Sequence, residues 1–165
     1  MEIYTIEFEN QLKVLRQMAL PIESINDQVI KLSEAMIATM IEARGIGLAG
    51  PQVGIKERIF TVKIGKDAPL VFINPEITFT STEFSTYEEG CLSIPEQYAD
   101  VKRYKTIQTQ AWNHRGRPFK LEATGLLATV IQHELDHLNG ILFIDHISSL
   151  KRNRILGKFN LAKQA

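Results

Sequence analysis

An α+β fold with a mostly antiparallel sheet is predicted by three observations. A helical stretch comes first, a consecutive set of β-rich runs fills the middle, and two more helical stretches close the chain. The first helix is expected over residues 24–43, SINDQVIKLSEAMIATMIEA. There Val29, Leu32, Met36 and Met40 form one apolar stripe, widened by Ile30, Ile37 and Ile41. Ser24 with Asp27 three residues later reads as a capping box, and Gly45 as the stop. GIGLAGPQVG follows, and its four glycines and one proline predict a loop. RIFTVKI, PLVFINP and EITFTS read as three strands, and YEEGCLSIPE as a break in the pattern. VKRYKTIQTQAWN and RPFKLEA flank Arg115-Gly116 as a hairpin. Thr124 is the expected N-cap of a second helix, TGLLATVIQHELDHLNG, closed by Gly140. A last helix is expected from Ser148 or Ser149 to near the C-terminus.

Residues 1–165 suit one domain with a real core, and no repeat, low-complexity tract or linker divides them. Nineteen basic residues balance nineteen acidic ones, which removes any net-charge argument for a DNA-binding or membrane-surface protein. No apolar run approaches the ~18 residues that span a bilayer. The start, MEIYTIEFENQ, has neither a secretory nor a transit pattern, so the cytoplasm is the expected compartment. Cys91 is the one cysteine, which excludes an intrachain disulfide and leaves a core residue, a nucleophile or a metal ligand.

The chemistry concentrates in QHELDHLNG. His133 and His137 are four apart and share one helical face, so both imidazoles can reach one ion, with Glu134 beside them as a general base. The bland alternative is a polar helix face carrying solvated histidines. With four histidines and fourteen glutamates, HExxH arises by accident in about one such chain per hundred. The third ligand is absent downstream. Phe143 stands where one protease pattern places a histidine, and no glutamate follows Glu134. Asp145 and His146 remain, but they come soon after the helix and fit neither pattern. Cys91 in EEGCLSIPE is the best upstream candidate, because a thiolate with two imidazoles leaves a fourth position for water. Its bland alternative is a small buried core residue, the usual fate of a free cysteine.

Helical spacing also outlines a pocket. Leu126 and Val130 continue the ligand stripe of His133 and His137, with Thr129 alongside and Ile46 contributed by the glycine-rich segment. Ordinary core packing is the competing explanation. Such a wall suits an unbranched apolar side chain.

GIGLAGPQVG, EEGCLSIPE and QHELDHLNG together resemble the peptide deformylase family. LKVLRQMALPI, NPEI and RPFKLEATGLL fall in the expected order too, so the likeness covers nearly the whole chain. The resemblance implies small antiparallel sheets around a central HExxH helix, and removal of the formyl group from nascent N-formyl-methionyl peptides. It implies one divalent cation on Cys91, His133 and His137, usually Fe²⁺ with Zn²⁺ or another ion possible. Glu134 would act as acid and base, with the Gln52 side chain and the Leu92 backbone N–H on the developing oxyanion. Ile46, Gly47, Leu48, Glu89, Gly90, Leu126, Thr129 and Val130 would contact substrate. A thiolate ligand weakens the ion as a Lewis acid and suits a softer or redox-sensitive metal. Gly50, Tyr98 and Thr129 depart from the usual pattern, and the last bears on the substrate's side chain. Lys151, Arg152, Arg154, Lys158 and Lys163 make the last helix basic; contact with ribosomal RNA is one reading and a solvated face the other. A protease cutting internal bonds and a non-catalytic metal module are the rival functions.

Overall fold

The computed structural model describes residues 1–164, with side chains through Phe159. Among the described residues, four helices and seven strands form an α+β fold. Helix α1 (Glu9–Leu15) precedes α2 (Asp27–Glu42), then come β1 (Gly47–Ala49), a 3₁₀ turn (Gly50–Val53), β2 (Ile59–Val62) and β3 (Leu70–Thr80). Next are β4 (Phe84–Cys91), β5 (Ile94–Tyr104), β6 (Thr106–Trp112) and β7 (Pro118–Thr124). The chain ends with α3 (Leu126–Leu138), a 3₁₀ turn (Phe143–His146) and α4 (Ser149–Gln164). Five strands make one sheet in the order β1-β2-β3-β6-β7, and β4-β5 stand apart as a two-stranded sheet. Every ladder is antiparallel.

Several boundaries differ from the sequence reading. Helix α2 is capped by Asn26, whose side chain accepts from the Val29 N–H at 3.1 Å, and not by Ser24. Its left-handed terminal residue is Arg44 rather than Gly45. The glycine-rich loop is a short strand followed by a 3₁₀ turn, because the Gly47–Ala49 backbone pairs with β2. PLVFINP and EITFTS are one strand, β3. Asn74 takes a positive φ and exchanges two hydrogen bonds with the backbone of Ile22, so the chain passes Pro75 through a register shift rather than ending there. VKRYKTIQTQAWN divides at Lys105 between the two sheets. The β6–β7 hairpin across Arg115-Gly116 is as expected. Thr124 does not cap α3: it ends β7, and its hydroxyl meets that of Thr106 at 3.0 Å. Gly125 is the N-cap, with φ 63 and ψ −130, a conformation open to glycine.

Three apolar clusters fill the interior. One packs Phe60, Phe72 and Ile107 of the large sheet under Ala128 and Ile131 of α3. Another sets Met36 and Met40 of α2 against Leu48, Ile59 and Ile73. The third gathers Ile94 and Val101 of β5 with Leu15, Phe143 and Ile144, closed by Ile155 and Phe159 of α4. The two small-sheet strands and α3 are therefore fixed by separate parts of the core, and their meeting edge carries the polar site.

Candidate metal centre

Helix α3 presents His133 and His137 one turn apart on a single buried face. Cys91 ends β4, where the strand turns through Leu92 and Ser93 into β5. YEEGCLSIPE is thus the tip of a hairpin, and a register shift between Gly90 and Cys91 swings the sulfur out of the ladder. The Cys91 sulfur and the two imidazoles offer three ligand atoms within 4.8 Å of one another, the one such group among the described residues. Cys91 Sγ lies 3.3 Å from His137 Nε2. That separation matches the ~3.3–3.6 Å between donors seated ~2.0–2.3 Å from one ion in a tetrahedral site. Three protein donors with none further leave a position for water or substrate. Asp145 and His146 are not in the cluster: Asp145 pairs with Arg16 at 2.6 Å and His146 with Asp136 at 2.7 Å. Phe143, the residue that replaced a histidine in the motif, packs its ring beside that of His133.

The electrostatics favour a cation. Burial alone would push the His133 imidazole towards neutrality, but the Cys91 sulfur and the Glu89 and Glu134 carboxylates outweigh it and lift its pKa to about 10. A cluster that draws a proton this strongly onto a buried ring draws a dication in competition with that proton. Burial, with the charges of His133, Arg103 and Arg16, lowers His137 well below its ordinary value and keeps it in the neutral, ligating form. His133 turns Nδ1 to Glu89 Oε1 at 2.8 Å, which leaves Nε2 for the ion. Burial raises Glu134 to about 7. Its Oε2 lies 3.9 Å from His133 Nε2, and its Oε1 is buried without a partner among the described residues. A methyl on Gly47 would overlap Glu134 Oε2, so glycine there admits the carboxylate.

A cavity of about 500 Å³ opens on the cluster. It is lined by Ile46, Gly47, Gln52, Glu89, Gly90, Cys91, Leu92, Leu126, Thr129, Val130, His133 and Glu134, bringing together nearly every residue singled out in the sequence. Leu48 and His137 are the exceptions: His137 is buried within the donor cluster, and Leu48 is fully buried between α2 and the large sheet, because alternation on β1 turns it inward. Gln52 Oε1 accepts from the Ala49 N–H at 2.9 Å, and its Nε2 reaches Ser93 Oγ at 3.2 Å and Cys91 Sγ at 3.4 Å. Tyr98, exposed at the rim, rests against Gly90.

Sequence reasoning missed Arg103 and Asp136. Arg103 is buried, grips Glu89 through two nitrogens at 2.7 and 2.9 Å, and donates to Asp136 at 2.9 Å. Burial works against the charge of each; the hydrogen bonds from His133 and Arg103 outweigh it in Glu89 and lower the acid, and the bonds to Glu89 outweigh it in Arg103 and raise the base. The available signal was strand alternation, which puts Arg103 on the same buried face as Val101.

Comparison with known proteins agrees with this geometry. Residues 3–153 match the family described as polypeptide deformylase. A peptide deformylase of Agrobacterium fabrum is 48% identical over 156 residues, covering 92% of each chain. That of Brucella suis biovar 1 is 49% identical over 156 residues, covering 92% of this chain and 89% of its own. Among solved structures, a peptide deformylase from Ehrlichia chaffeensis in complex with actinonin superposes with a TM-score of 0.92 at 30% identity, covering 100% of this chain and 98% of the other. One from Synechococcus elongatus, also with actinonin, gives 0.88 at 41% identity over 96% and 85%.

Proposed function

The chain belongs to the polypeptide deformylase family, and on that premise we propose that Cys91, His133 and His137 hold its divalent cation while Glu134 moves the proton. It is a metal-dependent hydrolase that removes the N-formyl group from the N-terminal formyl-methionine of newly made polypeptides and releases formate. The observation that carries the residue assignment is the convergence of one sulfur and two ring nitrogens beside the buried Glu134 carboxylate. When bound, the cation supplies a strong electrophile that makes water acidic near neutral pH. Iron is the proposed native ion on family resemblance and on the softness of the thiolate, with zinc the alternative.

The remaining steps belong to the protein. Glu134 accepts the proton of the attacking water and delivers it to the leaving amine. Gln52 Nε2 and the Leu92 N–H steady the developing oxyanion. Gln52 is suited to this because the Ala49 N–H locks its oxygen, aiming the NH₂ group at the centre. One of its protons faces only the Cys91 sulfur, a weak acceptor that yields readily to an anionic oxygen. In this reading α3 is the central, catalytic helix of one catalytic domain, residues 1–165, working in the cytoplasm. No helix among the described residues is long and apolar enough to cross a membrane.

Formate release from formyl peptides, measured on anaerobically purified protein of known metal content, tests the reaction and the ion together. Ile46, Leu126, Thr129 and Val130 line the space for the first side chain. At ~0.8 kcal/mol per buried methylene, formyl-methionine should outrun formyl-alanine by ~2 kcal/mol, or roughly thirtyfold in kcat/KM. Indifference to the first residue removes the pocket from the proposal.

Helix α4 buries Ile155 and Phe159 and turns Lys151, Arg154 and Lys158 outward. The side chain of Lys163 lies outside the described residues. A ribosomal contact through this face is expected to weaken as salt rises. Co-sedimentation with ribosomes across a salt series checks it, and salt-insensitive association or none counts against it.

A further inference from the structure

Two segments distant in sequence supply the donors: the β4–β5 hairpin brings Cys91, and α3 brings both histidines. Their separation is a docking distance, and the hairpin's own hydrogen bonds do not set it. Glu89 and Arg103 both sit on the hairpin, so their buried pair stiffens it without attaching it to the helix. Hydrogen bonds attach it at three points, the first being the Gln132 amide of α3, which exchanges two bonds with the Tyr104 backbone at 2.9 and 3.1 Å. Glu89 Oε1 meets His133 Nδ1 at 2.8 Å, and Arg103 Nη1 reaches Asp136 Oδ2 at 2.9 Å. Asp136 lies three residues after His133 on α3, so the four side chains close a ring that starts and ends on one helix. Attachments from Gln132, His133 and Asp136, spread over about one turn of α3, fix the tilt of the hairpin as well as its distance. Outside the ring, His146 Nε2 lies 2.7 Å from the same Asp136 oxygen, tying it to the Phe143–His146 turn.

We propose that Asp136 is a positioning residue for the metal centre: it anchors Arg103 to the histidine helix, holds the Cys91 hairpin at ligating distance, and is itself steadied by His146. This rests on the ligand set proposed above. The Arg103 and Glu89 side chains are 5% exposed, so the ring works where water competes little. Asp136 and His146 are more open, at 20% and 37%, and can be altered without emptying the core.

The test uses the full-length protein loaded with Co²⁺, whose absorption reports thiolate ligation, with affinity read by chelator competition and folding by thermal melting. Asp136→Ala should weaken Co²⁺ affinity by ~10–100-fold and alter the thiolate band, as loss of an outer partner does. Asp136→Asn, which keeps an acceptor for Arg103, should lose less, and His146→Ala should shift affinity in the same direction by a smaller factor. Asn74→Ala breaks two hydrogen bonds to the Ile22 backbone, away from the ring and the donors, and should lower the melting temperature with affinity unchanged. The proposal is overturned if Asp136→Ala and His146→Ala bind Co²⁺ as tightly as the parent with the same spectrum. It also fails if Asn74→Ala, at a matched loss of stability, loses as much Co²⁺ affinity as they do. Should Asp136→Ala not fold, Asp136→Asn and His146→Ala decide by the same criteria. A parent protein without a thiolate band overturns the ligand set instead.

Discussion

Replacing Glu134 by glutamine should leave the metal content unchanged and lower kcat by ~10²–10⁴-fold, the range a positioned acid–base group supplies. The carboxylate stands beside the donor cluster without joining it, so the ion does not depend on it. Glutamine has nearly the same size and fits against Gly47, where the existing clearance admits the side chain. What it cannot do is take a proton from water and return it to an amine. The pH profile separates this from a structural fault. Burial raises the Glu134 carboxyl to about 7 and thereby disfavours its charged form, while a bound dication favours that form and shifts the value downward. The base works ionised, so the parent's kcat/KM should fall as pH drops through that carboxyl's value, below about 7. The residual rate of Glu134→Gln should lack this acid limb. A variant within tenfold of the parent, or one that keeps the limb, removes Glu134 from the proton path.

How far the site could be read from sequence follows from how local each part is. The spacing of His133 and His137 is a property of one helix turn, so the pair was legible once a helix was assigned, and so were Leu126 and Val130 on the same stripe. Cys91 pairs with them across more than forty residues of chain; no periodicity reaches that far. It emerged because Phe143 blocked the downstream pattern and three motifs resembled one family. The strand ends were misplaced where tertiary pairing overruled local signals. Gly47–Ala49 is strand because β2 lies alongside, and Pro75 is tolerated because Asn74 makes the turn beside it. Thr124 looked like a cap, but the ladder claims its hydroxyl. The Glu89–Arg103–Asp136 ring was invisible for another reason. Charged residues pair by proximity in the fold, and sequence reveals only that Arg103 faces inward.

Converting Cys91 to serine should have the widest effect, because it changes the charge of the cluster as well as one donor atom. A thiol ionises on a metal, whereas a serine hydroxyl stays protonated at neutral pH, so the site loses a negative ligand. Metal affinity should drop by more than the ~10–100-fold that follows loss of an outer partner, and deformylation should disappear with the ion. A readout independent of catalysis comes from linkage. Metal at a thousandfold over its dissociation constant adds ~4 kcal/mol to the stability of a native state that binds it. For a domain of this size that is roughly 8–16 °C in melting temperature. The parent should therefore melt far higher with Zn²⁺ or Co²⁺ than after chelation, and Cys91→Ser should show little of that difference. The bare fold of the variant should survive, since serine is nearly isosteric at a half-buried hairpin tip. If Cys91→Ser retains the metal-dependent rise and its rate, two histidines and a different third donor hold the ion, and the hairpin has no part in the centre.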